Sequence, residues 1–356
     1  MDRAMPESRK IVELWKRGDA IALATLVRVQ GSSYRRTGAK LLIAADGEYV
    51  GSISGGCLEA EVVRKAQWLT RDGAVMQRYS TLFDDTAEIP FGLGCGGTVD
   101  LLIEPAGTAE FEALMHAMQA SLQGERRRVV TQIPEGERKL VRCILDDLGE
   151  HLFRSKSKLV DPNEPYFEEW LTPPQRLLVF GAGDDAQPMV QIASLLGWNV
   201  TVIDGRSQWA TAARFPRASR VVVASSLAAI GVTERDAVVV MTHSYEQDRA
   251  WLAALLPKAP RYLGLLGAHH RSALLVNEAA TILGWSVDRA CEGLFAPVGL
   301  DLGGEGAEAI ALATIAEMQA RCEGKIGASR RMTPECIAQQ IEAGGASRYL
   351  QAQCAL

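Results

Sequence analysis

The sequence predicts an α/β protein in two parts: an α+β domain over residues 1–154, then a Rossmann-like domain with a doubly wound parallel sheet over residues 175–321. Three observations carry this. Leu177-Leu-Val-Phe180 runs into Gly181-Ala-Gly183-Asp184-Asp185-Ala186, a helical pattern follows, and a second apolar run over 199–203 ends at Asp204. The acid falls 23 residues after Gly181, close to the roughly 20 of a dinucleotide-binding unit. The first half instead mixes strand-like and helical runs without regular alternation. Between the halves, residues 155–174 carry Ser-Lys-Ser-Lys and four prolines (Pro162, Pro165, Pro173, Pro174) and read as a linker.

Taken in order, residues 7–17 form an amphipathic helix and 21–30 a buried strand. Residues 41–45 and 49–53 alternate around Asp46-Gly47, a strong hairpin signal. A helix starts near Cys57, with Leu58, Val62, Val63, Ala66 and Leu69 at helical spacing. Strands follow at 74–80 and 98–103, a helix at 108–122, and strands at 128–132, 139–145 and 151–154. Beyond Asp204, strands fit at 220–224, 237–241 and 262–265, alternating with helices at 245–256 and 269–283. That alternation is what gives a parallel sheet covered on both faces. A Gly-rich, acidic start at 300–310 opens a helix to about residue 321, and 322–356 reads as a helical tail.

The chain has 356 residues, a formal net charge of −5 and 23% charged residues. Its basic clusters are short, so a nucleic-acid partner is not expected. No apolar run approaches the length of a membrane span. The charged N-terminus resembles no secretory signal, and seven cysteines without one predict free thiols in a cytoplasmic protein. No Cys-x-x-Cys pair or zinc-spaced Cys/His cluster occurs.

Two glycine-rich stretches of the first half draw attention. Gly51-Ser-Ile-Ser-Gly55-Gly56-Cys57-Leu-Glu59 turns from a strand into a helix. A thiol there would lie near unsatisfied N–H groups and the positive end of the helix dipole, which favours thiolate; a small buried cysteine in a tight turn is the plainer reading. Cys95 is likewise flanked by glycines in Gly92-Leu-Gly-Cys-Gly-Gly97. The loop Gly31-Ser-Ser-Tyr-Arg-Arg-Thr-Gly-Ala-Lys40 either binds an anion through Ser32, Ser33 and Arg35 or is an ordinary polar connection. In the second half, Gly181, Gly183 and Asp204 form the nucleotide-type turn, although Asp184 and Asp185 would repel a pyrophosphate.

These motifs, in this order, resemble the xanthine dehydrogenase accessory protein family (XdhC/CoxI). The resemblance covers both halves. It rests on the 31–40 loop, Ser54-Gly-Gly-Cys-Leu-Glu59, Gly94-Cys-Gly-Gly97, Phe180-Gly-Ala-Gly183, Val202-Ile-Asp-Gly-Arg206, Val240-Met-Thr-His-Ser244, Tyr262-Leu-Gly-Leu-Leu-Gly267 and Pro297-Val-Gly-Leu-Asp-Leu-Gly303. The chain departs from it at Asp184-Asp185 and at Ala268-His269-His270, where many members carry other residues. The resemblance implies a protein that binds molybdenum cofactor, assists its sulfuration and delivers it to a xanthine dehydrogenase-type apo-hydroxylase, with a cysteine desulfurase as a further partner and a homodimer as the assembly. Ser32, Ser33, Arg35, Gly55, Gly56 and Cys95 would then contact the cofactor, and Cys57 would ligate molybdenum or accept sulfur. The alternatives are an NAD(P)-dependent oxidoreductase built on the second half, which lacks a recognisable hydride-transfer set, and a scaffold that only docks partners.

Overall fold

Residues that alternate between two buried faces, or between core and solvent, decide most of this architecture. It was obtained as a computed structural model that describes residues 7–31, 33–56, 58–80, 97–133, 139–156 and 165–325, with isolated positions between 331 and 339. The described chain divides into two compact units, one over residues 7–173 together with the positions from 331 on, the other over residues 174–330.

The first unit comprises α1 (Glu7–Lys16), β1 (Ala20–Gly31), β2 (Lys40–Ala44), β3 (Tyr49–Gly51), α2 (Glu59–Leu69), β4 (Val75–Ser80), β5 (Gly97–Pro105), α3 (Ala109–Leu122), β6 (Arg127–Gln132), β7 (Val141–Leu145), β8 (His151–Arg154) and β9 (Tyr166–Leu171). Among the described residues these strands make two antiparallel sheets, ordered β3-β2-β1-β5-β4 and β8-β7-β6-β9. Alternation along β1 sends Ala22, Ala24 and Leu26 toward α2 and Leu23 toward α1 and α3. Val129 and Ile144 of the second sheet close on that same α1–α3 layer. The hairpin forms as read, with Leu42 opposite Val50 and Gly47 at positive φ. Thr108 caps α3 by accepting from the Phe111 N–H. The expected linker is corrected in part: Tyr166–Leu171 is an edge strand paired with Arg127–Gln132. Its bracketing prolines lie outside the strand, where they interrupt no ladder bond.

The second unit comprises β10 (Arg176–Phe180), α4 (Ala186–Leu195), β11 (Asn199–Asp204), β12 (Arg220–Val223), β13 (Ala237–Val240), α5 (Tyr245–Leu255), β14 (Tyr262–Leu265), α6 (His269–Leu283), α7 (Val287–Cys291), β15 (Leu294–Phe295) and α8 (Ala307–Cys322). Its sheet is parallel throughout in the order β12-β11-β10-β13-β14-β15. Leu177, Val179, Val200 and Val202 face α4 and α8, whereas Leu178, Phe180, Ile203 and Val240 face α5 and α6. Both faces are covered, which is why the strands read as unbroken apolar runs. Chain order reverses between β10 and β13, which makes that point the topological switch. No helix among the described residues is long and apolar enough to cross a membrane.

Candidate functional site

Two of the glycine turns singled out in the sequence, at residues 51–59 and 181–183, lie where a strand gives way to a helix, and each is covered by a carboxylate of the chain itself. In the first unit, Glu59 opens α2 and turns its side chain back into the preceding loop. One oxygen, Oε1, accepts from Ser52 Oγ and from the N–H groups of Ile53, Ser54 and Gly55 at 2.9–3.2 Å. The other, Oε2, accepts from the Ser54 hydroxyl and from the N–H groups of Gly56 at 3.0 Å and Leu58 at 3.1 Å. Burial works to raise the pKa of this carboxyl, but the Ser54 hydroxyl and N–H and the Ser52 hydroxyl outweigh it and bring it down to about 2. Glu59 is therefore a fixed negative charge, 3% exposed.

The helix expected near Cys57 begins at Glu59, with Leu58 in the capping position. The N–H groups of Gly55 and Gly56 are engaged by Glu59 and are not open to a ligand anion. Ser32, Cys57 and Cys95 lie outside the described residues. Among the described cysteines, burial pushes the Cys143 and Cys322 thiols up, away from thiolate.

The 31–40 loop does meet the 52–58 loop. A Cβ on Gly55 would stand 2.6 Å from the ring of Tyr34, so that ring rests directly on the Gly55 backbone. Arg35 is not an open anion contact, because it grips both oxygens of Glu7 at 2.7 and 2.9 Å. Ser33 is half-buried beside it. Below the loop lies an open cleft of about 720 Å³, lined in part by Tyr34, Arg35, Arg36, Lys40 and Glu169. Buried Lys40 pairs with Glu169 at 2.5 Å, and Glu168 is held by Arg128 at 2.8 and 2.9 Å. Charge in the cleft is thus largely compensated internally.

In the second unit Gly181 adopts φ +130°, and a Cβ there would stand 2.3 Å from the Met241 carbonyl oxygen, so β10 and β13 approach as only glycine allows. Asp185 Oδ1 lies 2.5 Å from where a Cβ on Gly183 would be. It covers the surface that a pyrophosphate approaches in a dinucleotide fold. Asp204 is buried and accepts from the Ala182 N–H at 2.9 Å and from the Arg206 guanidinium at 2.9 and 2.7 Å. Burial tends to raise its pKa; the hydrogen bonds from Arg206 and Ala182 lower it on balance. Asp204 is thus built in as a strut, with both of its oxygens engaged by the chain itself.

A second cleft, about 570 Å³, opens at the carboxyl edge of the sheet beside the switch point. Asp185, His243, Gly267, Arg271, Asp301 and Gly303 line part of it. His243 Nε2 lies 2.7 Å from Asp185 Oδ2, and His243 holds φ +62°, a costly conformation for a residue with a side chain. Arg271 donates to the fully buried Asp248 at 2.7 Å, which fixes its guanidinium at the cleft wall. The Gly-rich start of the last helix borders the cleft through Leu300–Gly304, and nothing in the sequence marked Asp185, His243 and Arg271 as its neighbours. The positive φ of His243 has no signature in residue type. Among the described residues no group of three or more His, Cys, Asp or Glu could hold a metal ion.

A unit of antiparallel sheets carrying a Ser-Gly-Gly-Cys-Leu-Glu turn, joined in sequence to a Rossmann unit with a self-closed glycine turn, defines a class of two-part proteins. The chain belongs to the XdhC and CoxI family: the profile described as the XdhC and CoxI family matches residues 14–80, and that described as the XdhC Rossmann domain matches residues 177–318. It is 27% identical over 310 residues to a Bacillus subtilis protein described as a probable xanthine dehydrogenase subunit, covering 83% of this chain and 91% of that protein. It is 26% identical to the molybdenum cofactor insertion chaperone PaoD of Escherichia coli, over 87% of this chain and 86% of that one. A solved structure described as a xanthine dehydrogenase from Bacillus halodurans superposes with a TM-score of 0.77 at 27% identity, covering 94% of this chain and 99% of the other.

Proposed function

We propose that this protein is a molybdenum cofactor insertion chaperone for a xanthine dehydrogenase-type molybdenum enzyme. The observation that carries the reading is likeness over nearly the whole of both chains to a protein named for that activity, with a second relative named for a xanthine dehydrogenase. The cofactor is cargo here: it enters, is held and leaves. The cleft at the carboxyl edge of the Rossmann sheet suits holding such a cargo, being preformed and walled by glycine backbone, with Arg271 fixed beside it. In this reading Cys57 meets the metal or carries sulfur supplied by a cysteine desulfurase, and the working assembly is a homodimer. The NAD(P) oxidoreductase reading loses its ribose acceptor to Arg206.

The test is reconstitution. Apo-hydroxylase mixed with cofactor and this protein should gain activity faster and further than with cofactor alone, and Cys57→Ala should abolish the sulfur-dependent part of that gain. Equal activation without the protein would reject the chaperone reading.

A further inference from the structure

The 52–58 loop has the form of an anion-binding nest: consecutive N–H groups and two hydroxyls converge on one point ahead of a helix. Such a nest normally waits for a phosphate. Here seven donors from Ser52, Ile53, Ser54, Gly55, Gly56 and Leu58 already converge on Glu59. The donors are not a by-product of ordinary capping, since Leu58 makes no side-chain cap bond and a glutamate at the first helical position is reaching backward across the whole turn. The glycines have φ of +89° and +112°, so the backbone is shaped to aim its N–H groups at that carboxylate. The Tyr34 ring lies against Gly55 of the same loop.

We infer that Glu59 is a built-in anion: its carboxylate fills the nest that an external phosphate would otherwise enter, fixes the shape of the loop, and excludes anionic groups of the ligand from it. Among the described residues of the loop, the backbone donors that face Glu59 are therefore taken. The phosphate of any cargo must be bound elsewhere. This goes beyond the chaperone reading and does not depend on it, because the probes are simple anions and no client is involved.

The experiment compares the full chain with Glu59→Ala and Glu59→Gln in acetate, in inorganic phosphate and in chloride of matched ionic strength, following thermal unfolding. The wild-type protein gives the baseline, since phosphate stabilises folded chains generally by exclusion from the surface, and each variant is read as its shift beyond that baseline. Glu59→Ala should melt lower, and acetate or phosphate, but not chloride, should recover most of the loss by entering the vacated nest. Glu59→Gln should also melt lower yet show no recovery, because its amide still occupies the space. Wild-type-like melting of Glu59→Ala, or recovery no better than in chloride, would overturn the inference. If Glu59→Ala does not fold, amide exchange in Glu59→Gln decides. Residues 53–58 should exchange more than about tenfold faster than in wild type, with α3 unchanged; unaltered exchange there would equally overturn it.

Discussion

Asp204 and Arg206 form a two-pronged ion pair at the end of β11, with Arg206 Nε on Asp204 Oδ1 at 2.9 Å and a terminal guanidinium nitrogen on Oδ2 at 2.7 Å. In a dinucleotide enzyme the acid at this place reads the ribose. Here it ties the glycine turn to its neighbouring strand through the Ala182 N–H. NADH and NADPH are accordingly expected to leave the melting temperature unchanged. A true ligand at a hundred times its Kd would add about 2.7 kcal/mol, which would move the transition by several degrees. Arg206→Ala should cost roughly 2 kcal/mol, because the buried Asp204 loses its charged donor. Urea titration measures that loss.

A second ion pair is buried outright. Arg142 donates to both oxygens of Glu104 at 2.9 Å, and to Thr131 Oγ1 and the Glu110 carbonyl, with exposures of 2% and 0% for the pair. Arg142→Ala strands a carboxylate in the core between the two sheets of the first unit and should cost about 3–5 kcal/mol. Replacing both residues by methionine should recover most of it, since the desolvation penalty then disappears on both sides. Denaturant midpoints of the single and double variants check the pair.

Two glycines are predicted to resist substitution to different degrees and for different reasons. At Gly51, a Cβ would stand 2.1 Å from the Lys40 carbonyl oxygen across the β2–β3 pair, and φ is +104°. Gly51→Ala should destabilise by about 3 kcal/mol or more, strain and overpacking acting together. Gly55→Ala meets the Tyr34 ring, an exposed side chain that can swing aside. Its cost should be smaller, and Tyr34→Ala should relieve the steric part while leaving the strain. Thermal melts of the three variants and the Tyr34→Ala/Gly55→Ala pair separate these contributions.

Stability should also fall in acid in a way that Glu59 governs. Its carboxyl titrates near 2 in the folded chain against 4.5 for an ordinary glutamate. A depressed folded value means the contribution is complete above 4.5, declines as pH drops below it, and is gone once pH passes through about 2. Asp204 acts in the same direction. Urea midpoints measured across that window should drop steeply for the wild-type protein and less for Glu59→Gln. Equal slopes would contradict the assignment.

Much of the fold was legible because its signals are local. The Asp46-Gly47 hairpin and the Gly181 turn each follow from a few adjacent residues, and the apolar runs of β10, β11 and β13 follow from burial on both sides. The strand at Tyr166–Leu171 was missed because it lies between prolines and pairs with residues some forty positions earlier in the chain, at Arg127–Gln132, a partnership that composition cannot reveal. The candidate site was less legible still. Glu59 carries no signal beyond its place at the end of the Ser54–Glu59 motif, Asp185 reads as a repulsive charge and Asp204 as the acid of a dinucleotide unit, and each reading concerns residue type alone. Only coordinates show that all three carboxylates turn inward onto the chain's own N–H groups or side chains.

The chaperone reading stands or falls on whether the chain carries molybdenum cofactor. The direct measurement is mass spectrometry and molybdenum analysis of the protein purified from cells that make the cofactor, before and after incubation with an apo-hydroxylase. A chaperone should hold pterin and molybdenum in matching amounts, both lost from this chain and gained by the hydroxylase on incubation. A protein that emerges without pterin or metal from such cells, or that keeps both in the presence of the apo-enzyme, would contradict it.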